Sequence, residues 1–506
     1  MTMTAPDQSR PTLSELTAGI AEVAAAYDRP VKGLSLDSRR VRAGDLFFAT
    51  TGTRRHGRDF IDAAIAAGAV AVLVEDEGTP SASLREAVPV IGVPGLGGRV
   101  GEIASRFFGD PSARLKVIGV TGTNGKTTVS NVIAQALSRI AAMKPCGVIG
   151  TLGIGFPGAL EADGSTTPDP VSLQQHLAQM RDRGARCVAM EVSSHALDQA
   201  RVAGVHFAAA AFTNLTRDHL DYHGTMESYG AAKRGLFLMP DLGAAVINVD
   251  DPFGLSLLDV LPARVPAYAC TLGTVESAGR ATLLRGSAIS VSRKGLSLTA
   301  TSTERELRLR ASLLGRFNAA NLLLAFATIT ALGATWEEAA EALQAANGVP
   351  GRMEAFQTGE DGPLVLVDYA HTPDGLRQVL QSARELCRGR LWCVFGCGGN
   401  RDPGKRPVMG AVAAELADSI IVTSDNPRDE DPAAIIAQIV EGIPAPVPVL
   451  TEVDRERAVR SAIHGARGED VVVVAGKGHE EYQEIRGQRL PMSDRTLVMA
   501  ALRERR

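Results

Sequence analysis

The chain has 506 residues, 45% of them hydrophobic and 22% charged, enough for about three domains that each bury a core. A net charge of −4 gives no basis for binding nucleic acid, and any anionic ligand must be held by local features. Six cysteines without C-x-x-C spacing, a polar segment 1–11 and the lack of any long apolar run argue against disulfide staples, a zinc ribbon, secretion and membrane insertion, so a cytoplasmic protein is expected.

Residues 1–97 read as a small N-terminal α/β unit. Residues 31–48 alternate apolar and polar side chains around one turn, a short helix begins at Ile61, and 69–74 is a buried strand. Val93-Pro94-Gly95-Leu96-Gly97-Gly98 reads as a linker. The central unit, 98–349, opens with a helix over 100–108 and then reaches its most informative stretch, 116–128. The apolar run Val117, Ile118, Val120 predicts a buried parallel strand. It breaks into Gly122-Thr123-Asn124-Gly125, followed by Lys126-Thr127-Thr128 at the start of a helical pattern. Glycines let backbone N–H groups approach phosphate oxygens, and the helix N-terminus adds partial positive charge. Lys126 is placed to meet the terminal phosphates of ATP, and the Thr127 hydroxyl to ligate Mg²⁺. The spacing departs from G-x-x-x-x-G-K-[ST], because Val120 stands five residues before Gly125.

Further strands are expected over 187–191, 208–213 and 244–248, a small extra sheet within 264–313, and a helix over 317–332. Met190-Glu191-Val192-Ser193-Ser194-His195 and the polar stretch from Thr213 to Gly224 fall at strand ends, so Glu191 and His219 are candidate metal ligands beside ATP. Residues 347–352 read as a second linker.

In the last unit, 350–506, strands over 364–367, 391–395, 419–423, 447–450 and 471–475 alternate with helical patterns. That order predicts a doubly wound, Rossmann-like parallel sheet, which binds ligands beyond its strand C-termini. Those ends carry four polar segments, beginning at Asp368, Gly396, Asp425 and Gly476.

The segments 121–128, 191–195, 214–224, Gly315-Arg316-Phe317-Asn318-Ala319-Ala320-Asn321 and Asp368-Tyr369-Ala370-His371-Thr372-Pro373 together resemble the Mur ligase family. Its members join amino acids to a UDP-linked muramic acid peptide during peptidoglycan synthesis. Leu36-Asp37-Ser38-Arg39, Thr166-Thr167-Pro168-Asp169 and Ala231-Ala232-Lys233 resemble the members that add the third peptide residue. The resemblance implies a UDP-substrate domain (1–97), a central P-loop-type ATPase domain (98–349) and an amino-acid-binding domain (350–506). It implies ATP contacts at Gly122, Thr123, Asn124, Gly125, Lys126, Thr127, Thr128 and Asn318, and Mg²⁺ at Thr127, Glu191, His219 and Lys233. Lys233 would serve there as a carbamate formed with CO₂, and Lys126, Lys233 and His219 are the catalytic candidates. The acceptor UDP-N-acetylmuramoyl-L-alanyl-D-glutamate would meet Leu36, Ser38, Thr166, Thr167, Ser193, Gln199 and Arg201, with Thr53-Arg54-Arg55-His56 in the nearby loop.

The Asp425-Asn426-Pro427-Arg428 signature implies meso-diaminopimelate as the incoming amino acid, held by Arg401, Asp425, Asn426, Pro427, Arg428, Gly476 and Glu480. A monomer is expected. Three other readings stay open at this point: the same ligase using L-lysine, a folylpolyglutamate synthetase-like ligase, and a P-loop regulator that binds ATP without ligating.

Overall fold

The computed structural model describes residues 10–52, 55–76, 82–359 and 362–505. Two sequence expectations, the polar segment up to residue 9 and the loop positions Thr53 and Arg54, lie outside them. The chain forms two compact units. The first comprises Met1–Gly119, Pro145–Ala208 and Met239–Leu242; the second comprises Val120–Lys144, Ala209–Leu238 and Gly243–Arg506.

In the first unit, strands Gly33–Ser35, Asp45–Ala49, Ala71–Glu75 and Val88–Val93 pair in parallel, and Ala82–Arg85 adds an antiparallel edge. The alternation expected over 31–48 is absent from the burial of Asp45–Ala49, which is covered on both faces. Phe47 and Ala49 pack with Ile61 and Ala64, while Leu46 and Phe48 pack with Leu96, Val100 and Ile103. The expected linker at 93–98 is instead a strand end running into helix Leu96–Phe107. Gly95 turns the chain at φ +66°, and the Glu75 carboxylate accepts from the Leu96 and Gly97 N–H groups at 3.0 and 2.9 Å. That carboxylate satisfies donors the helix leaves open. Within the same unit Cys187–Glu191 pairs in parallel with Cys146–Gly150, beside antiparallel Gly153–Phe156 and Ala159–Glu161.

In the second unit the end of Phe207–Phe212 pairs in parallel with Ala245–Asn248, followed by Ala267–Thr271 and Thr282–Ser292. The small extra sheet expected within 264–313 is continuous with these strands: Gly295–Thr301 and Glu306–Ala311 extend them antiparallel. Helices Lys126–Leu137 and Asn318–Ala331 pack side by side. A second sheet has the order Glu354–Phe356, Leu364–Asp368, Val471–Ala475, Leu391–Phe395, Ser419–Thr423, Val449–Glu452, with only its first strand antiparallel. Leu364 and Leu366 face one core, with helices Pro373–Leu386, Lys405–Leu416 and Pro432–Val440. Val365 and Val367 face the other, with Arg455–Gly465 and Asp494–Glu504. Strand residues alternate between faces, so helices on both sides make this sheet doubly wound.

Candidate active site

The phosphate loop lies in the second unit, between strand Lys116–Thr121 and helix Lys126–Leu137. Gly122 has φ +143°, and a Cβ there would come within 1.9 Å of Thr213 Oγ1, so only glycine fits. Thr213 Oγ1 donates to Asn124 O at 2.6 Å, and Asn124 N–H donates to Asn214 Oδ1 at 2.9 Å. Thr123 Oγ1 lies 3.1 Å from Tyr229 Oη. The polar stretch after strand Phe207–Phe212 therefore moulds the loop.

Lys126 Nζ donates to Gly122 O at 2.8 Å and Thr123 O at 2.9 Å, folding over the turn it belongs to. Lys233 Nζ donates to the same Gly122 O at 2.8 Å and stands 4.3 Å from the centre of the Tyr229 ring. Lys233 is 1% exposed. Burial, and then the charge of Lys126, push its amine well below the ordinary lysine range. An amine held neutral is a nucleophile towards CO₂, so the residue fits a carbamate. His219 has φ +53°, uncommon for a residue with a side chain, and its Nε2 lies 3.4 Å from Asp218 Oδ2. Burial works to raise the Asp218 carboxyl, but His219, His371 and Lys126 hold it below its usual range.

Two of the expected ATP-site residues have partners within the protein. Asn318 is buried, its amide donating to Leu314 O at 2.6 Å and accepting from Asn321 Nδ2 at 2.7 Å. The side chain packed against the loop is Asn321, whose Oδ1 a Cβ at Gly125 would meet at 2.7 Å. Thr127 Oγ1 accepts from Arg352 Nη2 at 3.1 Å, so Arg352, read as linker from the sequence, reaches the phosphate helix. Its guanidinium also lies 4.4 Å from the centre of the Tyr369 ring. Among the described residues no group of three His, Cys, Asp or Glu is placed to hold a metal. Magnesium needs no such cage: one or two hard protein oxygens with phosphates and waters suffice, and the Thr127 hydroxyl at the start of the phosphate helix fits that role.

A cavity of about 880 Å³ in the same unit is lined by Asp218 and His219, by His371 and Asp374, by Arg401 and Lys405, and by rim residues Asp425, Asn426, Arg428, Gly476 and Glu480. Pro427 does not line it; its carbonyl faces Gly399, where a Cβ would sit 1.9 Å away. Arg428 has φ +52° and donates through Nη1 to Gly399 O at 2.7 Å. Asn124 Nδ2 donates to Asp374 Oδ2 at 3.3 Å, tying the phosphate loop to the cavity wall.

In the first unit, one hydrogen-bonded cluster gathers five of the seven expected acceptor-binding residues. Thr167 Oγ1 donates to Glu191 O at 2.9 Å and accepts from Ser193 N–H at 3.1 Å. Arg201 donates to Thr167 O at 2.9 Å and to Gln199 Oε1 at 2.6 Å, while Thr166 Oγ1 lies 3.2 Å from Thr151 Oγ1. Glu191 is buried with both oxygens accepting from Thr151, its N–H at 2.8 Å and its hydroxyl at 3.1 Å. Leu36 and Ser38 sit on the turn before Asp45–Ala49, and no hydrogen bond among the described residues joins them to this cluster. Thr151 was missed because its only local signal is one polar residue after an apolar strand.

A phosphate loop between a buried strand and a helix, with a polar-lined cavity beside a parallel sheet, defines an α/β nucleotide-binding architecture. Three family models match in succession: the Mur ligase family catalytic domain over 30–108, the Mur ligase middle domain over 120–329, and the Mur ligase glutamate ligase domain over 351–478. The chain is similar to the UDP-N-acetylmuramoyl-L-alanyl-D-glutamate–2,6-diaminopimelate ligase of Alkalilimnicola ehrlichii, 49% identical over 487 residues that cover 95% of this chain and 96% of that one. The ligase of the same name from Ectopseudomonas mendocina is 49% identical over 464 residues, covering 92% and 93%. A solved structure of a ligase of this name aligns with a TM-score of 0.72 and 36% identity, covering 98% of this chain and 99% of that one. The chain belongs to the Mur ligase family.

Proposed function

We propose that the chain uses ATP to join an amino group of meso-diaminopimelate to the free carboxylate of UDP-N-acetylmuramoyl-L-alanyl-D-glutamate, a step of peptidoglycan synthesis carried out in the cytoplasm. A carboxylate does not react with an amine at neutral pH, so it must first take the γ-phosphoryl group as an acyl phosphate. Bringing it to the polyanionic phosphate costs roughly 4 kcal/mol per unit-charge repulsion at about 4 Å and an effective dielectric near 20. Lys126, on exchanging its loop carbonyls for phosphate oxygens, offsets that repulsion. Magnesium, for which Thr127 and His219 would be ligands, would supply further positive charge when bound. Neutral Lys233 would supply an anionic oxygen ligand once carbamylated. The amine then attacks the acyl phosphate, phosphate leaves, and the amide remains.

One observation carries the choice of amino acid: Arg401, Arg428 and Glu480 line one cavity. Two guanidiniums and a carboxylate suit a substrate whose far end carries both a carboxylate and an ammonium group, and lysine lacks that carboxylate. Losing one partner of a charge pair that substrate binding buries costs roughly 2–5 kcal/mol, a discrimination of about thirtyfold to several thousandfold, and the part-buried Arg428, already beside Glu484, belongs at the low end of that range. The cluster of Thr166, Thr167, Ser193, Gln199 and Arg201 supports an acceptor site, since hydroxyls and an arginine suit pyrophosphate and carboxylates. The three family-model matches support separate UDP-substrate, ATP and amino-acid domains. Offering diaminopimelate and lysine together with the UDP-dipeptide and ATP should give the diaminopimelate product alone by mass. A lysine product in comparable yield, or full-speed ATP cleavage without the dipeptide, would overturn this reading.

A further inference from the structure

The cavity rim rests on a lysine that the reaction above does not use. Lys477 is 0% exposed and lies between Gly476 at φ +116° and Gly478 at φ +53°. A Cβ at Gly478 would meet Gly351 O at 2.7 Å, and one at Gly476 would meet Asp425 Oδ2 at 2.4 Å. Both turns therefore need glycine, and they direct the lysine beneath the rim. Its Nζ donates to Glu480 Oε2 at 2.9 Å and to Asn426 Oδ1 at 3.0 Å, and it stands 5.6 Å from the centre of the Tyr482 ring.

These bonds fix two cavity-lining side chains at once. Asn426 Oδ1 also accepts from Glu484 N–H at 2.9 Å, so its Nδ2 points the other way and donates to Glu480 Oε2 at 2.8 Å. Glu480 thus has one oxygen clamped by two donors, while its Oε1 takes no hydrogen bond among the described residues. The Glu484 carboxylate lies 3.3 Å from Arg428 Nε, so the same network runs on to a guanidinium that lines the same cavity. Burying a cation costs desolvation energy that an apolar side chain of similar size would avoid. A lysine kept there at that cost, with its donors spent on two pocket groups, points to a role in holding them.

We propose that Lys477 is a positioning residue for the amino-acid substrate: it locks Glu480 and Asn426 so that Glu480 Oε1 meets the ammonium at the far end of a diamino acid. This rests on the ligase reading above, and the wild-type chain separates the two: if it forms no diaminopimelate product, both fall together.

With the wild type active, Lys477→Met should raise KM for diaminopimelate about ten- to a hundredfold, the loss of one or two charge-assisted hydrogen bonds. KM for ATP and for the UDP-dipeptide should stay unchanged, and kcat at saturation should fall no more than about threefold. In a Glu480→Gln background the same change should add little, because Lys477 acts through that carboxylate. An unaltered KM for diaminopimelate, an equal rise in all three KM values, or additive effects in the double variant would overturn the proposal. Should Lys477→Met fail to fold, the Lys477→Met/Glu480→Gln pair, which leaves no buried charge unpaired, is compared with Glu480→Gln alone. Failure of both to fold would make the lysine a structural group and equally overturn the assignment.

Discussion

Lys126 was legible in the sequence because everything that gives it meaning is local: a strand, two glycines, and the first turn of a helix. Arg352 was not, since its contact with Thr127 spans 225 positions and its own neighbours read as a linker. Removing the Lys126 cation should cost roughly a hundred- to a thousandfold in kcat, as for other preorganised groups that meet developing charge, with a stopped-time phosphate-release assay as the check. His371 makes a different prediction. Burial, and then the nearby Lys405, lower its pKa from the ordinary 6.5, so the folded chain holds it neutral. A depressed folded value means that its contribution to stability is present above pH 6.5 and is lost as pH falls through the folded value. Denaturant midpoints between about pH 7.5 and 5.5 should therefore fall more steeply for the wild type than for His371→Asn.

At the scale of elements, buried parallel strands read well and glycine-rich helix starts read poorly. Leu391–Phe395, Ser419–Thr423 and Val471–Ala475 have the expected bounds, because a strand covered on both faces is a continuous run of Val, Ile and Leu. Helix Leu96–Phe107 begins four residues before its expected start at Val100, because its first turn holds two glycines and is stabilised by Glu75, a residue distant in sequence. The C-terminal helix contributes Asp494, which accepts from the buried Arg455 at 2.8 and 2.7 Å. Arg455 also donates to Ser424 O and Ala475 O, the backbone beside two rim segments. Arg455→Met strands a buried carboxylate and should destabilise the fold by about 3–5 kcal/mol in urea unfolding. It should also weaken diaminopimelate binding, since the rim loses its anchor.

Across the molecule, the second unit assembles its site from pieces that no local pattern joins. Asn124 and Asp374 are hydrogen-bonded although 250 positions apart. The rim segments could be picked out beforehand only because strand C-termini of a doubly wound sheet are a known place for ligands. Which side chains would turn into the cavity was not readable: Pro427 turns away while Lys405, never singled out, lines it. Rim geometry depends on charges held below it, such as Arg406, whose guanidinium binds Glu430 at 2.8 Å and Gly398 O at 3.3 Å. Charged residues are rarely fully buried, so sequence reasoning assigns such an arginine to solvent by default.

The Gly122 carbonyl, which receives both Lys126 and Lys233, makes these lysines chemically dependent on one another. Part of what keeps the Lys233 amine unprotonated is the neighbouring positive charge. Deleting that charge at position 126 would hand Lys233 back some of its basicity and so dull its appetite for carbon dioxide. The damage from such a variant is then a compound loss, of a phosphate partner and of a correctly prepared amine. An arginine at 126, which keeps the charge while changing its shape, is the replacement that separates the two.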